Sequence, residues 1–262
     1  MKWSRRYPDK VYPVATGLLV LVIWEATVAA LRVPPYLLPA PSGVVAELVR
    51  QWDTLVSHAA TTMIEVVVGF TMSLVTGILL GLAIVNWRLV ERSLYPLLVS
   101  SQTIPKVAVA PLFIIWFGFG ITPKILIVFL MSVFPVVINT VLGLRMVNRE
   151  MIYLVQSMGG GRGEIFRRVA LPVALPAIFT GLKMAAVLAV VGAIVGEFVG
   201  SDRGLGYVLT VANGNLDAKL VFATVLALST FGLLLFFLVE LAEWVFVPWN
   251  RNRSATARME QL

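Results

Sequence analysis

The chain has 262 residues, of which 59% are hydrophobic and only 13% charged, and its mean hydropathy is +0.90. Because about a quarter of the residues of an ordinary soluble domain are charged, this composition excludes a soluble protein and predicts an all-α polytopic membrane protein. The chain has no cysteine and one histidine, His58, which excludes disulfides, thiolate nucleophiles and multi-histidine metal sites, while the net charge of +7 raises the question of nucleic acid.

Six apolar segments reach the length of about 20 residues that a helix needs to cross a bilayer. We predict spans at about 13–32, 61–86, 94–117, 123–144, 173–199 and 220–247, within a single transmembrane domain of residues 1–262. The first of them follows a basic start, MKWSRRYPDK, but it is long for the apolar region of a cleaved signal peptide. We therefore expect it to remain as the first span.

The segment between the first two spans is rich in proline, with Pro34, Pro35, Pro39 and Pro41, and we expect an extended connector there. Ser42 is a candidate N-cap for a helix from Gly43 to about Ser57. Its apolar residues recur at helical spacing, while its charged residues Glu47, Arg50 and Asp53 fall largely on other faces. This pattern predicts a helix that lies on the membrane surface or packs on the spans.

Small residues recur every four positions in two of the spans. The second span carries Gly69, Ser73, Gly77 and Gly81, and the fifth carries Gly192, Gly196 and Gly200. Such stripes allow close packing between helices, which is the simpler interpretation of each glycine taken alone.

Ionisable side chains within apolar spans are costly and are candidates for function. By position they are Glu25, Glu65, Lys106, Glu197 and Glu240, with Glu243 near the end of the sixth span. For the glutamates, an interhelical pair or a side chain reaching the interface is the simpler interpretation, and for His58 we expect an outer-surface position without a special role.

Lys106 differs because it belongs to a polar group in the third span, Gln102, Thr103, Pro105 and Lys106. Proline there removes a backbone hydrogen bond and frees a carbonyl group. A polar, broken segment suits the wall of a translocation pathway, and a lysine suits an anionic solute.

The basic residues are distributed unevenly between the two sides of the predicted membrane. With six spans, the side that holds both termini carries 14 of the 21: Lys2, Arg5, Arg6, Lys10, Arg88, Arg92, Arg145, Arg149, Arg162, Arg167, Arg168, Arg251, Arg253 and Arg258. The opposite side carries Arg32, Arg50, Lys124, Arg203 and Lys219. By the positive-inside rule both termini and the central loop are cytoplasmic, and this topology accounts for the positive charge without nucleic acid.

The central loop, about 151–171, is polar, basic and rich in glycine: it reads MIYLVQSMGGGRGEIFRRVAL. We expect an amphipathic helical hairpin from Leu154 to Val169, broken at Gly159, where glycine permits a turn with positive φ. Leu171-Pro172 and Leu175-Pro176 are expected to stop it and to start the fifth span. Its apolar face (Leu154, Val155, Met158, Ile165, Phe166 and Val169) would need a partner protein to cover it.

No G-x-x-x-x-G-K-[ST] string occurs in the chain, so the glycines of this loop do not form a phosphate loop and the chain is not expected to hydrolyse ATP. A flexible loop without a docking role is the alternative.

The loop resembles the coupling segment of the permease subunits of ATP-binding-cassette (ABC) importers, which has a Glu-Ala-Ala triplet, then a glycine and, some residues later, an apolar-Leu-Pro end. Here Gly159 matches the glycine and IFRRVALP the end, whereas Tyr153-Leu154-Val155 stands where the family has Glu-Ala-Ala. The phrases PPYLLPAPSGV, TIPKVAVAPLFIIWFGFG, RGLGYVL and VPW are similar to the taurine, sulfonate, nitrate and pyrimidine-precursor branch.

The resemblance implies a type I importer permease fold in a bacterial cytoplasmic (inner) membrane. It implies a homodimer, two ABC ATPase subunits that bind ATP and Mg²⁺, and an extracytoplasmic solute-binding protein, with no cofactor or metal on this chain and no catalysis by it. The solute would be small and carried by alternating access; nitrate, sulfonates, taurine, pyrimidine precursors, flavins and aromatic acids all fit the resemblance, and Lys106 favours an anionic one.

The resemblance also implies site residues. The ATPase-coupling residues are Tyr153, Gly159, Arg162, Glu164, Phe166, Arg167, Leu171 and Pro172. For the translocation pathway, the resemblance implies that the fifth span lines it, which adds Gly192, Gly196 and Glu197 to the candidates already drawn from the third span, Gln102, Thr103, Pro105 and Lys106.

Two other classes of membrane protein would fit the hydropathy alone. A secondary transporter driven by an ion gradient is expected to have matched internal repeats, and the two halves of this chain match poorly. A non-transporting scaffold would not account for the glycine-to-Leu-Pro loop.

Overall fold

A computed structural model describes residues 11–249, and within this range every regular element is helical. The helices are α1 (Val11–Ala30), α2 (Pro41–Arg50), α3 (Trp52–Asn86), α4 (Arg88–Ser101), α5 (Lys106–Phe117), α6 (Ile121–Arg145), α7 (Arg149–Ser157), α8 (Arg162–Ile165), α9 (Leu171–Gly200), α10 (Leu205–Gly214) and α11 (Ala218–Phe246), with a π-helical turn (Phe166–Ala170) between α8 and α9. The all-α polytopic fold that the composition predicts is confirmed.

Five of these helical segments are long and apolar enough to cross a membrane, and the bent pair formed by α4 and α5 would make a sixth. We call the end of the bundle with the α3–α4 turn, α7, α8 and residue 249 the basic end. The opposite end, with α2, the α5–α6 turn and α10, is the far end.

The third span, predicted over about 94–117 with a broken segment around Pro105, consists of the two helices α4 and α5. The chain bends by 103° between Arg88–Thr103 and Lys106–Phe117. Pro105 is the N-cap of α5 and has no amide proton to continue a helical ladder, and a proline also disfavours helical dihedrals at the residue before it. The chain turns there through short bonds, such as Gln102 N–H to Val99 O at 3.1 Å.

Helices α3, α6 and α9 form the centre of the bundle, and small residues set their spacing. A Cβ added at Gly77 would lie 2.7 Å from Val136 Cβ, and one at Gly81 2.6 Å from Thr140 Cβ. On the other side of α6, a Cβ at Gly192 would lie 2.8 Å from Val128 Cα. The predicted packing function of the α3 stripe is confirmed, and Gly192 and Gly196 of the second stripe face the same helix, whereas Gly200 faces Ile114 and Phe119.

The chain between α1 and α3 departs from the prediction in two ways. The helix predicted over Gly43 to about Ser57 ends at Arg50, and α3 begins at Trp52, nine residues before the predicted second span. Ala40, not Ser42, is the N-cap of α2, because Ser42 instead binds Glu25 of α1 through its hydroxyl (2.7 Å) and its amide (3.0 Å).

Glu47 was expected away from the apolar face of this helix, and that is also wrong. It is only 6% exposed, and both of its carboxylate oxygens accept hydrogen bonds from the Arg50 guanidinium at 2.9 and 2.7 Å. The bonds from Arg50 satisfy the carboxylate, which is what allows it to be buried.

The sequence suggested that Leu171-Pro172 would stop the helical hairpin, and this prediction is wrong. Helix continues from Arg162 through the π turn to Gly200 over 39 residues. Pro172 lacks an amide proton, and the amide of Leu171 bonds to Phe166 O, five residues earlier, in place of the usual α-helical partner. A π turn next to a proline lets the helix continue, because the hydrogen bond that proline cannot donate falls where the backbone bonds change from a five-residue to a four-residue spacing.

Candidate functional site

The central loop forms two short helices at the basic end, separated by a tight turn at Gly159. Asn148 caps α7 by accepting a hydrogen bond from Glu150 N at 3.0 Å. After α7, the amides of Gly159 and Gly160 bond to Gln156 O and Val155 O, both at 2.9 Å, and φ of Gly159 is +85°. These two bonds form a Schellman motif, which places a glycine at the position with positive φ, as the sequence predicted for Gly159.

We call the exposed part of these helices the α7–α8 surface. Its apolar side chains are Met151, Tyr153, Leu154, Met158 and Phe166, which are 50%, 63%, 62%, 80% and 37% exposed. Among the predicted coupling residues, Arg162, Glu164 and Arg167 are also exposed, and Glu164 pairs with Arg168 at 2.9 Å. This is an apolar patch with charges around it.

Other residues predicted for this surface lie elsewhere. Val169 is 8% exposed and packs in the core, which corrects its assignment to the exposed face. Leu171 and Pro172 are half-buried in the first turn of α9, and the Trp249 indole N–H donates to Pro172 O at 3.2 Å. These two residues therefore attach the α7–α8 surface to the bundle.

A second attachment joins the start of this loop to α4. The Arg145 guanidinium, at the end of α6, lies 2.5 Å from Glu91 Oε1 and 5.6 Å from the centre of the Tyr95 ring. A cation at a helix C-terminus is also favoured by the helix dipole. The connection between α6 and α7 is thus anchored immediately before the α7–α8 surface.

The four polar residues of the third span lie together at the bend between α4 and α5. Lys106 Nζ donates to Gln102 Oε1 at 2.7 Å and lies 5.9 Å from the centre of the Phe134 ring of α6. Thr103 and Pro105 are exposed, and the Thr103 hydroxyl donates to Ser100 O at 2.8 Å. Within residues 11–249, no carboxylate lies within 4.0 Å of Lys106 Nζ.

The other pathway candidates, Gly192, Gly196 and Glu197, do not join this group. Gly192 and Gly196 pack against Val128 and Lys124 of α6, and Glu197 is 1% exposed at the far end. Helix packing accounts for both glycines within one protomer. The seven candidates therefore form two separate groups, and only the group at the bend lies at the protomer surface.

The far end contains a cluster of buried polar side chains that was not predicted from the sequence. Lys124 was counted as an exterior loop residue, but it is 5% exposed and lies 3.1 Å from Glu65 Oε1. His58, expected to have no special role, accepts a hydrogen bond from Gly204 N at 3.1 Å. The signal in the sequence that could have revealed this cluster was Lys124 itself, a lysine at the fourth position of the apolar helix α6.

The remaining ionisable candidates have simple surroundings. Lys183 of α9 pairs with Glu243 of α11 at 2.6 Å, which is the interhelical pair that was considered for such residues. Glu25 binds Ser42, and Glu240 is exposed. We assign no role in transport to these three glutamates.

Comparison with known proteins identifies the family. Residues 73–243 match the model of the binding-protein-dependent transport system inner membrane component. The formylaminopyrimidine transport permease protein of Halalkalibacterium halodurans is 38% identical over 95% of this chain and 100% of the relative. The riboflavin transport system permease protein of Chloroflexus aurantiacus is 38% identical over 94% and 92%, and the taurine transport system permease protein of Escherichia coli 27% identical over 95% and 94%.

These matches cover nearly all of the chain and include the branch that its motifs resemble. They also exclude the secondary transporter and the scaffold. The family works with a separate ATPase and a solute-binding protein, so this subunit is not itself an enzyme. The chain belongs to the binding-protein-dependent transport system inner membrane component family and is the permease subunit of an ABC importer.

Proposed function

We propose that two copies of this chain form a homodimer that imports a small heteroaromatic solute of the pyrimidine-precursor class. The observation that carries the heteroaromatic class is the 38% identity to a formylaminopyrimidine permease and to a riboflavin permease, against 27% to a taurine permease. The match to the formylaminopyrimidine permease covers the whole of that relative, which favours the pyrimidine precursor. Each copy would bind one ABC ATPase, which holds ATP and Mg²⁺, and no cofactor would bind to this chain.

The orientation follows from the charge. Arginines are concentrated at the basic end, and the positive-inside rule places that end in the cytoplasm. Both termini would then be cytoplasmic, and the far end with α2 and α10 would face the solute-binding protein.

In this orientation the α7–α8 surface is the docking site for the ATPase. Its exposed apolar side chains are what a partner protein would cover, and an aromatic residue such as Phe166 is typical of the residues that dominate interfaces. Tyr153 replaces the acidic residue of the family motif, so shape and apolar contact would matter more than an ion pair, with Arg162 and Arg167 at the rim.

The homodimer is supported by the position of the bend between α4 and α5. Thr103, Ile104 and Pro105 are exposed in the single protomer, and α5 continues with exposed Ile115 and Trp116. A second copy facing this surface would enclose the bend and turn it into the wall of a central pathway.

Lys106 would contribute to solute recognition in that pathway. Its ammonium group has a neutral amide and an aromatic ring as neighbours, so it can still donate to a solute. Ring nitrogens and carbonyl oxygens of a pyrimidine are suitable acceptors. Gly192, Gly196 and Glu197 would then support the pathway wall from inside the protomer.

A sulfonate or taurine is the second candidate, and the same lysine favours it, since a sulfonate anion would pair directly with an ammonium group in a desolvated site. The two candidates differ in charge and can be separated by transport.

The test is uptake into proteoliposomes that contain the permease, its ATPase and its binding protein. ATP-dependent accumulation of labelled formylaminopyrimidine is expected, with little accumulation of taurine. Accumulation of taurine alone would favour the second candidate, and accumulation of neither solute would contradict both. A Lys106→Met variant should lower uptake while the permease still binds the ATPase.

A further inference from the structure

Two prolines in the first turns of α9 each remove one hydrogen bond from the helical ladder. The bond that Pro172 cannot donate falls at the π turn (Phe166–Ala170). Pro176 is the second case, because the α-helical donor to the carbonyl of Pro172 would be the amide of residue 176, and proline has none. A half-buried carbonyl without a donor is unfavourable, so Pro172 O has to find a donor elsewhere.

The indole of Trp249 supplies that donor. Its N–H group donates to Pro172 O at 3.2 Å, from a residue 77 positions further along the chain. An indole N–H has one proton to donate and no acceptor of its own, which matches a carbonyl that lacks one donor. A side chain that follows α11 therefore replaces a backbone bond of α9.

The way in which α11 ends brings Trp249 to this carbonyl. Val247 is the C-cap of α11 and is 1% exposed, so its packing in the core fixes the direction in which the chain leaves the helix. Pro248 has no amide proton and cannot continue the helix. The pair between Lys183 and Glu243, at 2.6 Å, holds the same end of α11 against α9.

The bond between Trp249 and Pro172 lies beside the α7–α8 surface. Trp249 lines a cavity of about 330 Å³ together with Met151 of α7, Arg168 of the π turn and both prolines of α9. Because α8, the π turn and α9 form one continuous helix, a force applied to α8 reaches the first turns of α9 at this point. A helix bends most easily where a bond of its ladder is missing.

We propose that Trp249 is a positioning residue for energy coupling. Its indole N–H replaces the hydrogen bond that Pro176 omits, and it keeps the first turns of α9 from bending when the ATPase pushes on the α7–α8 surface. With Pro172 O held from α11, movement of that surface is passed to α9 and α11 together. This inference rests on the proposed docking of the ATPase at the basic end.

The first test is a double-mutant cycle on the purified full chain, which needs neither ATPase nor solute. Pro176→Ala restores an amide that can donate to Pro172 O and so makes the indole donor redundant. Trp249→Phe should lower the equilibrium constant for folding by about two- to tenfold, the change that one hydrogen bond typically produces, and by clearly less when combined with Pro176→Ala. SDS titration followed by circular dichroism measures both effects. An equal loss in the two backgrounds would overturn the proposal, because Trp249 would then act only through its ring.

The second test is the number of solute molecules imported per ATP hydrolysed by the complete transporter in proteoliposomes. The solute is labelled formylaminopyrimidine or taurine, whichever the wild type accumulates. Trp249→Phe should lower this ratio by about two- to tenfold, and the double variant Trp249→Phe/Pro176→Ala should restore it. A merely structural loss would lower uptake and hydrolysis together and leave the ratio unchanged.

Trp87→Phe is the matched control and should keep the ratio. Trp87 ends α3 at the same end of the bundle and is 62% exposed, and among the described residues its indole N–H has no protein acceptor. A Trp249→Phe variant with the wild-type ratio would overturn the proposal, as would a lowered ratio that Pro176→Ala does not restore.

Phe166→Ala, measured in parallel, separates this inference from the proposed docking surface. If Phe166→Ala lowers the ratio and Trp249→Phe does not, the docking surface stands and the inference about Trp249 fails. If Phe166→Ala keeps the ratio while Trp249→Phe lowers it and Pro176→Ala restores it, the ATPase docks elsewhere at the basic end and the role of Trp249 is supported.

Discussion

Replacing Gly192 with alanine should destabilise the bundle, although alanine favours a helix more than glycine does. The added Cβ would lie 2.8 Å from Val128 Cα, where an ordinary contact needs at least 3.4 Å. The neighbour is backbone, so no side-chain rotation can relieve the overlap, and α6 and α9 must separate by roughly 0.6 Å. Overpacking of this kind costs about 1–3 kcal/mol.

Gly232 of α11 provides a matched control because it also lies in the middle of a span. A Cβ there would meet Val190 Cγ2 at 3.7 Å, an ordinary van der Waals contact. Gly232→Ala should therefore gain up to about 1 kcal/mol from helix propensity without a packing cost. After the same gain is allowed for in Gly192→Ala, the two variants should differ by about 1–3 kcal/mol.

The free energy of unfolding can be measured by SDS titration in mixed micelles, followed by tryptophan fluorescence. Gly192→Ala should unfold at a lower SDS fraction than wild type, and Gly232→Ala at the same or a higher one. Equal midpoints for the two variants would refute the close approach of α6 and α9 at this position.

Further predictions concern coupling, recognition and topology. Phe166→Ala should uncouple ATP hydrolysis from uptake or release the ATPase, measured as co-purification and solute-stimulated hydrolysis, while Phe237→Ala, an exposed phenylalanine of α11, should do neither. Lys106→Met should lower uptake at unchanged membrane level, and unchanged uptake would assign the lysine a structural role. Cysteines at Ser4 and Ser254, in a chain that has none of its own, should resist an impermeant thiol reagent in intact cells, and labelling would contradict the topology; both positions lie outside the described residues. The purified chain should not hydrolyse ATP above background, because no phosphate loop is present.

The spans could be predicted from the sequence because their signal is local. A run of apolar residues near bilayer length is sufficient evidence for a helix, and the sequence also predicted that Gly159 would have positive φ. The packing stripe from Gly69 to Gly81 was likewise visible because its period matches one face of a helix.

The bend between α4 and α5 could not be predicted with the same security, although Pro105 was noted. A proline in an apolar run is compatible with a kinked span as well as with a break. The 103° angle depends on how the two segments pack against other helices, and that information is not local.

The buried polar cluster at the far end could not be predicted from the sequence for a similar reason, because it depends on contacts between distant segments. Glu65 was recognised as costly, but the pairing with Lys124 joins two helices that are distant in the sequence. Ser42 shows the same limit: its type and position predicted an N-cap, but a carboxylate on another helix provided a different partner. The family resemblance placed Glu197 in the pathway, whereas its hydrogen bonds relate it to α10.

The uninterrupted helix from Arg162 to Gly200 links the α7–α8 surface mechanically to the far-end cluster. At 1.5 Å per residue, Phe166 and Glu197 are separated by about 46 Å along the axis of this helix. A tilt of about 5° imposed at Phe166 would move the other end by about 4 Å, as far as the width of a side chain. Because Glu197 is bonded there to Thr62 and to the first turn of α10, such a tilt would carry the ends of α3 and α10 with it.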